Sequence, residues 1–219
     1  MANEERPNDK LIAKKTEWAA AKRPAPSARP GGVYADRLPP GQHVAEGWPV
    51  LDLGVKPEVT TEKWSLTVDG LVALPRVLDW PAFLDLPQID DVSDFHCVTT
   101  WSTFDNRWRG TRFKDFCAAV KPSAEARHVV FSSYDGYTTN LPLAACLDDD
   151  VMIVHGYNGR PLTRDHGGPV RMIVPKRYAW KSAKWLRAVT FLAADAPGFW
   201  EVRGYSNTAF PWDDDRFSE

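Results

Sequence analysis

Asp94-Phe95-His96-Cys97-Val98-Thr99-Thr100-Trp101-Ser102, continuing to Trp108-Arg109-Gly110, decides what kind of protein this chain makes. An apolar stretch delivers a cysteine into a loop dense in Thr, Ser and Trp. That composition suits a thiol presented at a strand end, flanked by hydroxyls able to hold a polar ligand. It also suits a buried structural cysteine, because free Cys is among the most buried residue types. The two readings stay open on these residues alone.

Outward from this stretch the pattern is that of a strand-rich mixed domain. Trp64, Leu66 and Val68 alternate with Ser65, Thr67 and Asp69, and Asp69-Gly70 follows, which predicts a half-buried strand running into a hairpin. Asp79 offers an N-cap to a short helix through Phe83. Phe113, Phe116, Cys117 and Val120 fall at i, i+3, i+4 and i+7, an amphipathic helix with Cys117 inward. Short apolar runs at Val129 to Phe131, Val151 to Val154, Val170 to Val174 and Trp185 to Leu192 read as strands. Asn158-Gly159 predicts a tight turn between Tyr157 and Arg160. With no βαβ alternation, the fold class expected is α+β, richer in strand than in helix.

Composition narrows the function. At 219 residues the chain suits one substantial domain, and its ten Trp and ten Phe need burial or stacking partners. A net charge of −2 gives no electrostatic case for nucleic acid as a partner. No run approaches the roughly 18 apolar residues of a membrane span. The three cysteines, Cys97, Cys117 and Cys146, match neither a disulfide framework nor zinc spacing. A reducing, cytoplasmic location is expected, since the polar N-terminus shows no export signal. Residues 1–45, with Lys22 to Pro30 rich in Pro and Ala and Leu38-Pro39-Pro40-Gly41 unsuited to helix, are expected to form an extended arm lying in solvent. Residues 46–219 are expected to form a single domain, its Trp212-Asp213-Asp214-Asp215 tail solvated.

A second stretch carries the functional reading. Pro161-Leu162-Thr163-Arg164-Asp165-His166-Gly167-Gly168-Pro169-Val170-Arg171 leads to Val174-Pro175 and then to Lys181-Ser182-Ala183-Lys184-Trp185-Leu186. Together with Cys97-Val98-Thr99-Thr100-Trp101-Ser102, in the same order, it resembles the sulfite oxidase and molybdenum methionine sulfoxide reductase superfamily over roughly residues 45 to 205. The resemblance implies a sulfite-oxidase-type molybdopterin-binding domain that carries molybdenum and molybdopterin. It implies Cys97 as the protein's metal ligand and a catalytic residue. His166, Arg171 and Ser182, Ala183 and Lys184 then fall on cofactor-binding positions. Ser133 falls near a further one, and Trp48, Pro49 and Val50 near an N-terminal contact. Tyr205 matches the tyrosine that faces the metal in sulfite oxidases, where a phenol could hydrogen-bond an oxo group or substrate oxygen.

The chemistry is coherent. Thiolate is a soft transition-metal ligand, the cofactor performs two-electron oxygen-atom transfer, and its phosphate needs cationic and N–H donors such as Arg171 and Lys184. Two departures shape the expected substrate and partner. The arginine that helps sulfite oxidases bind their anion is missing from Ala45-Glu46-Gly47-Trp48-Pro49-Val50, and Glu46 lies close to its place. That points to a neutral small-molecule substrate, a sulfoxide or N-oxide, over sulfite. No room remains after Tyr205 for a further domain, so electrons are expected to pass through a separate redox protein. A non-catalytic molybdopterin carrier and a Cys97-dependent hydrolase using His166 are the competing readings. His43, His128 and His155 read as structural, and Cys117 and Cys146 as core.

Overall fold

The computed structural model describes residues 8–21 and 32–218. Its strands, in chain order, are β1 (His43–Val44), β2 (Ser65–Gly70), β3 (Arg76–Asp79), β4 (Ile89–His96), β5 (Trp101–Arg112), β6 (His128–Ser133), β7 (Thr138–Pro142), β8 (Met152–Tyr157), β9 (Arg160–Pro161), β10 (Arg171–Ile173) and β11 (Leu186–Leu192). Four α-helices accompany them: α1 (Asp9–Ala20), α2 (Trp80–Leu84), α3 (Phe113–Val120) and α4 (Leu143–Cys146). The expected α+β class, with more strand than helix, is what the chain adopts.

Two sheets form. One runs β1-β5-β8-β10, with β4 paired to β5 and β9 to β8; the other runs β3-β2-β11-β6-β7. The alternation at Trp64 to Asp69 becomes β2, whose Leu66 and Val68 are buried while Ser65, Thr67 and Asp69 are half-buried. Asp79 caps α2 by accepting from the Ala82 amide at 2.9 Å. All four apolar positions predicted for α3 are buried. Asn158 and Gly159 both take positive φ between Tyr157 and Arg160, as the tight turn requires. At Gly110, where β5 slips register against β8, a Cβ would lie 2.1 Å from the Ile153 carbonyl oxygen, so only glycine permits the close approach.

The aromatic load finds its burial. Trp64, Trp108 and Trp185 are almost wholly enclosed, and rings of this size each bury about 150–250 Å². Their indole N–H groups donate to the Leu186 carbonyl, the Ser93 hydroxyl and the Arg164 carbonyl, each at 2.9 Å. No indole donor in this set is left to carry a desolvation penalty.

One expectation, the extended arm in solvent, fails. The arm is not simply extended, since Asp9–Ala20 forms α1, with Asn8 accepting from the Leu11 amide as its cap. Nor does α1 stand off in solvent: Ala19 is 1% exposed, and the Asn8 amide donates to the Leu53 carbonyl. Apolar side chains on one face of the helix have found the domain, which outweighs the polar mean of the segment. Lys22 to Pro30 lies outside the described residues. The expected solvated tail holds in part: Trp212 and Asp213 are exposed and Asp214 and Asp215 half-buried, while beyond them Arg216 is buried and Phe217 bridges to Tyr205.

Candidate active site

Cys97 opens the four-residue loop between β4 and β5. The loop is tight: the Cys97 amide donates to the Trp101 carbonyl at 2.8 Å, the Thr100 amide to the Cys97 carbonyl at 3.0 Å, and Thr100 takes φ 77°. This geometry turns the thiol away from His96, which is fully buried and meets the Ser102 hydroxyl through Nδ1 at 2.8 Å. Thr99 Oγ1 lies 3.1 Å from Cys97 Sγ. Burial pushes the thiol up and the Thr99 hydroxyl works against it. A thiolate here therefore needs a further positive group close by, as a metal would be.

The thiol lies on a cavity of about 900 Å³, part of it open to solvent. Cys97, Thr99 and Trp101 meet Trp48, Ser133, His166, Arg171, Ser182, Lys184 and Tyr205 there. Arg171, the first residue of β10, is 3% exposed and faces this cavity; it does not sit in a surface ion pair. Its guanidinium donates to the carbonyls of His166 at 2.9 Å and Ser182 at 3.0 Å and lies over the Trp48 ring. Burial takes it down to about 9. Lys184 donates to the Leu51 carbonyl at 2.9 Å and is pushed down to about 7, by burial and then by the charge of Arg171. Among the described residues neither cation forms an ion pair with a carboxylate.

Local sequence explains the approach of these groups. Gly167 takes φ 93°, and a Cβ there would fall 2.7 Å from the Lys184 Cβ. The Gly-Gly pair thus lets the 161–171 stretch lie directly on 182–185, where the Trp185 amide donates to the Gly167 carbonyl at 3.0 Å. His166 is stacked on Trp48 with ring centroids 4.2 Å apart. Both its nitrogens are engaged, Nδ1 with the Thr163 hydroxyl at 2.9 Å and Nε2 with the Trp48 carbonyl at 3.0 Å. It orients Trp48 and Arg171 and is not free to serve Cys97 as a base, so the hydrolase reading gains no support.

Not every expected residue reaches the cavity. Trp48 and Pro49 line it, whereas Val50 is exposed and away from the lining. Ala183 is buried beneath it, its carbonyl accepting from Met172. Ser133 lines it, and its buried hydroxyl has no partner among the described residues. Tyr205 lines it too, its hydroxyl donating to the Lys15 carbonyl at 3.3 Å. Glu46 and Arg107 and Arg109 are exposed and contribute nothing to the lining.

Residues missed from sequence come from far along the chain. Lys15 of α1 and Asp52, Asp135 and Tyr137 line the cavity. Gln42 donates to the Cys97 carbonyl at 3.1 Å, and Arg216 donates to the Val98 carbonyl from the tail. No motif marks them, because each is a common polar residue in an unremarkable neighbourhood. The fit to a molybdopterin is nonetheless direct. A buried Arg171 and a half-buried Lys184, neither in ion-pair contact with the Asp52 and Asp135 that share the cavity, an unsatisfied serine hydroxyl and a thiol needing a positive neighbour suit a phosphate-bearing metal cofactor.

Residues 53–200 match the family described as the oxidoreductase molybdopterin binding domain. The chain is 41% identical over 183 residues to a Bacillus subtilis (strain 168) protein named "Uncharacterized oxidoreductase YuiH", covering 83% of this chain and 92% of that one. It is 26% identical over 178 residues to the protein-methionine-sulfoxide reductase catalytic subunit MsrP of Ralstonia nicotianae, covering 71% and 54%. To the mitochondrial sulfite oxidase of Drosophila melanogaster it is 27% identical over 230 residues, covering 91% and 39%. It thus spans about half or less of these last two relatives. In fold it is similar to the sulfane dehydrogenase SoxCD of Paracoccus pantotrophus, with a TM-score of 0.61, 19% identity, and coverage of 66% of this chain and 42% of that chain.

Proposed function

The chain belongs to the oxidoreductase molybdopterin binding domain family, and from that premise we propose two-electron oxygen-atom transfer on a small substrate at a Cys97-ligated molybdenum. Its class is already plain: it is a molybdopterin-dependent oxidoreductase of the sulfite oxidase superfamily. When bound, the cofactor supplies the redox change and the oxygen exchanged with substrate. The observation that carries the finer reading is the single cavity joining Cys97 to Arg171 and Lys184.

Within it the residues divide the work. Cys97 would hold the metal as a thiolate, with Thr99 beside the sulfur. Arg171, Lys184 and Ser182 would receive the phosphate end, and Ser133 would offer its unpartnered hydroxyl to the cofactor's polar edge. Tyr205, buried and pushed up to about 12 by burial and by Cys97, keeps its proton at neutral pH. That one proton, now donated to the Lys15 carbonyl at 3.3 Å, would turn to a substrate oxygen when substrate binds. Trp101, Trp180 and Trp200 keep water from the reacting end.

Electrons are exchanged with a separate redox protein. That part of the reading is supported by the MsrP relative, named as a catalytic subunit. Among the described residues no helix is long and apolar enough to cross a membrane. A cytoplasmic setting suits three free cysteines.

Elemental analysis and cofactor extraction, on protein made in a molybdenum-competent host, test the proposal. Stoichiometric molybdenum with a pterin is expected, lost or catalytically silent in Cys97→Ser. Full turnover by Cys97→Ser would end the ligand assignment, and a metal-free wild type would end the whole reading.

A further inference from the structure

We propose that Lys15, on helix α1, is the substrate-recognition cation of this site and selects a small oxyanion. The proposal rests on the oxygen-transfer reading above. It also reverses the substrate expected from sequence, since the cation that seemed missing near Glu46 enters from the N-terminal helix.

Four observations lead here. Lys15 lines the cavity together with Cys97, Tyr205 and Trp200, the reacting end. Its ammonium lies 5.4 Å from the Trp200 ring centroid and has no hydrogen-bond or ion-pair partner among the described residues. The other two cations named in the cavity belong to the proposed phosphate end, where Arg171 also donates to the carbonyls of His166 and Ser182 and Lys184 to that of Leu51. Finally, α1 is seated firmly enough to aim a side chain. The Asn8 amide donates to Leu53, Ala19 is buried near Gly204, Trp18 meets Phe217 edge-on at 6.2 Å, and the Tyr205 hydroxyl donates to the Lys15 carbonyl.

A half-buried ammonium without a partner is costly to keep. Cys97 and Asp52 are the negative groups that act on it, neither within ion-pair distance, so an anion that arrives with substrate would be its first direct partner. Three N–H donors on a flexible stem suit the oxygens of a tetrahedral or pyramidal oxyanion, while a neutral sulfoxide offers only a dipole. Tyr205 adds a neutral donor from the same side once its one proton turns from the Lys15 carbonyl to the anion.

Inorganic sulfate is the probe. Calorimetric titration of the molybdenum-loaded protein at low ionic strength should show sulfate binding that weakens about tenfold or more in Lys15→Met, the loss expected for one charge-assisted hydrogen bond. Lys15→Arg should restore most of it, and Lys15→Gln should resemble Lys15→Met. In steady-state assays the KM for sulfite should rise by a similar factor in Lys15→Met, with kcat and the KM for dimethyl sulfoxide little changed. Molybdenum content should match wild type in all three variants. No sulfate binding by the loaded wild type, equal affinity in all variants, or loss of molybdenum from Lys15→Met would each overturn the proposal, the last by making Lys15 a cofactor ligand. A wild type without molybdenum would remove the functional reading, while the sulfate comparison would still decide whether Lys15 binds an oxyanion.

Discussion

The two ends of the cavity are built in opposite ways. The Arg171 and Lys184 end comes mainly from one stretch of chain, residues 161–186, folded against itself through Gly167 and fixed by its own backbone carbonyls and by those of Trp48 and Leu51. The Cys97 end is assembled from remote parts, with Lys15 from α1, Gln42 ahead of β1, Tyr205 from the C-terminal region and Arg216 from the tail. The first end depends on local spacing and tolerates little change in it. The second depends on packing between distant segments. The proposed phosphate end thus rests mainly on one local stretch, whereas the surroundings of the thiol depend on how distant segments dock.

Breaking the thiol end should have the largest effect. Cys97→Ser is expected to cost more than about 100-fold in turnover, since supporting residues around a metal site alone cost about 10–100-fold. Cys117→Ser and Cys146→Ser, both far from the lining, should keep activity if folded. Circular dichroism beside steady-state rates separates the two cases.

The local end should fail differently, through occupancy. Arg171→Ala and Lys184→Ala should each weaken cofactor binding by about tenfold or more, because a charge-assisted hydrogen bond contributes about 1.5–3 kcal/mol. Molybdenum stoichiometry after dialysis reads this directly. An unchanged double variant would show that the clamp lies elsewhere.

Arg216→Met sharpens the contrast by loosening the assembled end alone. The side chain is buried, donates to the Val98 carbonyl and pairs with Asp214, so its loss should cost about 1–3 kcal/mol. For a chain of this length that is a fall in melting temperature of about 2–12 °C. Molybdenum affinity at the far clamp should hold, while kcat drops as the Cys97 loop shifts.

The smallest effect is a pH dependence that reports the clamp. In cofactor-free protein Lys184 sits at about 7, against about 10.4 when unfolded. Between those values the unfolded chain binds more protons, so stability rises with pH across that window and the penalty is fully present below about 7. The melting temperature of the cofactor-free wild type should therefore climb more steeply from pH 7 to 9 than that of Lys184→Met. Bound phosphate should restore the charge and flatten the difference. Identical slopes with and without cofactor would place the phosphate away from Lys184.

Much of this was legible in the sequence, for reasons particular residues make clear. Period-2 alternation marked β2, period-3.6 spacing marked α3, and Asp79 and Asn158-Gly159 marked a cap and a turn, because each is a rule about neighbours along the chain. The same locality exposed His166, Arg171 and Lys184, whose spacing is set by one stretch of backbone. Val50 and Ala183 were adjacent to true lining residues, but a side chain's direction alternates with each residue and spacing alone could not say which pointed inward. What only the tertiary structure decided was the company Cys97 keeps. Lys15 shares the cavity with the thiol because α1 buries Ala19 against the domain, and Arg216 reaches the Val98 carbonyl because the tail folds back to bridge Phe217 to Tyr205. Contacts of that kind are fixed by the summed burial of distant apolar faces, and no local pattern of residues records which faces will meet.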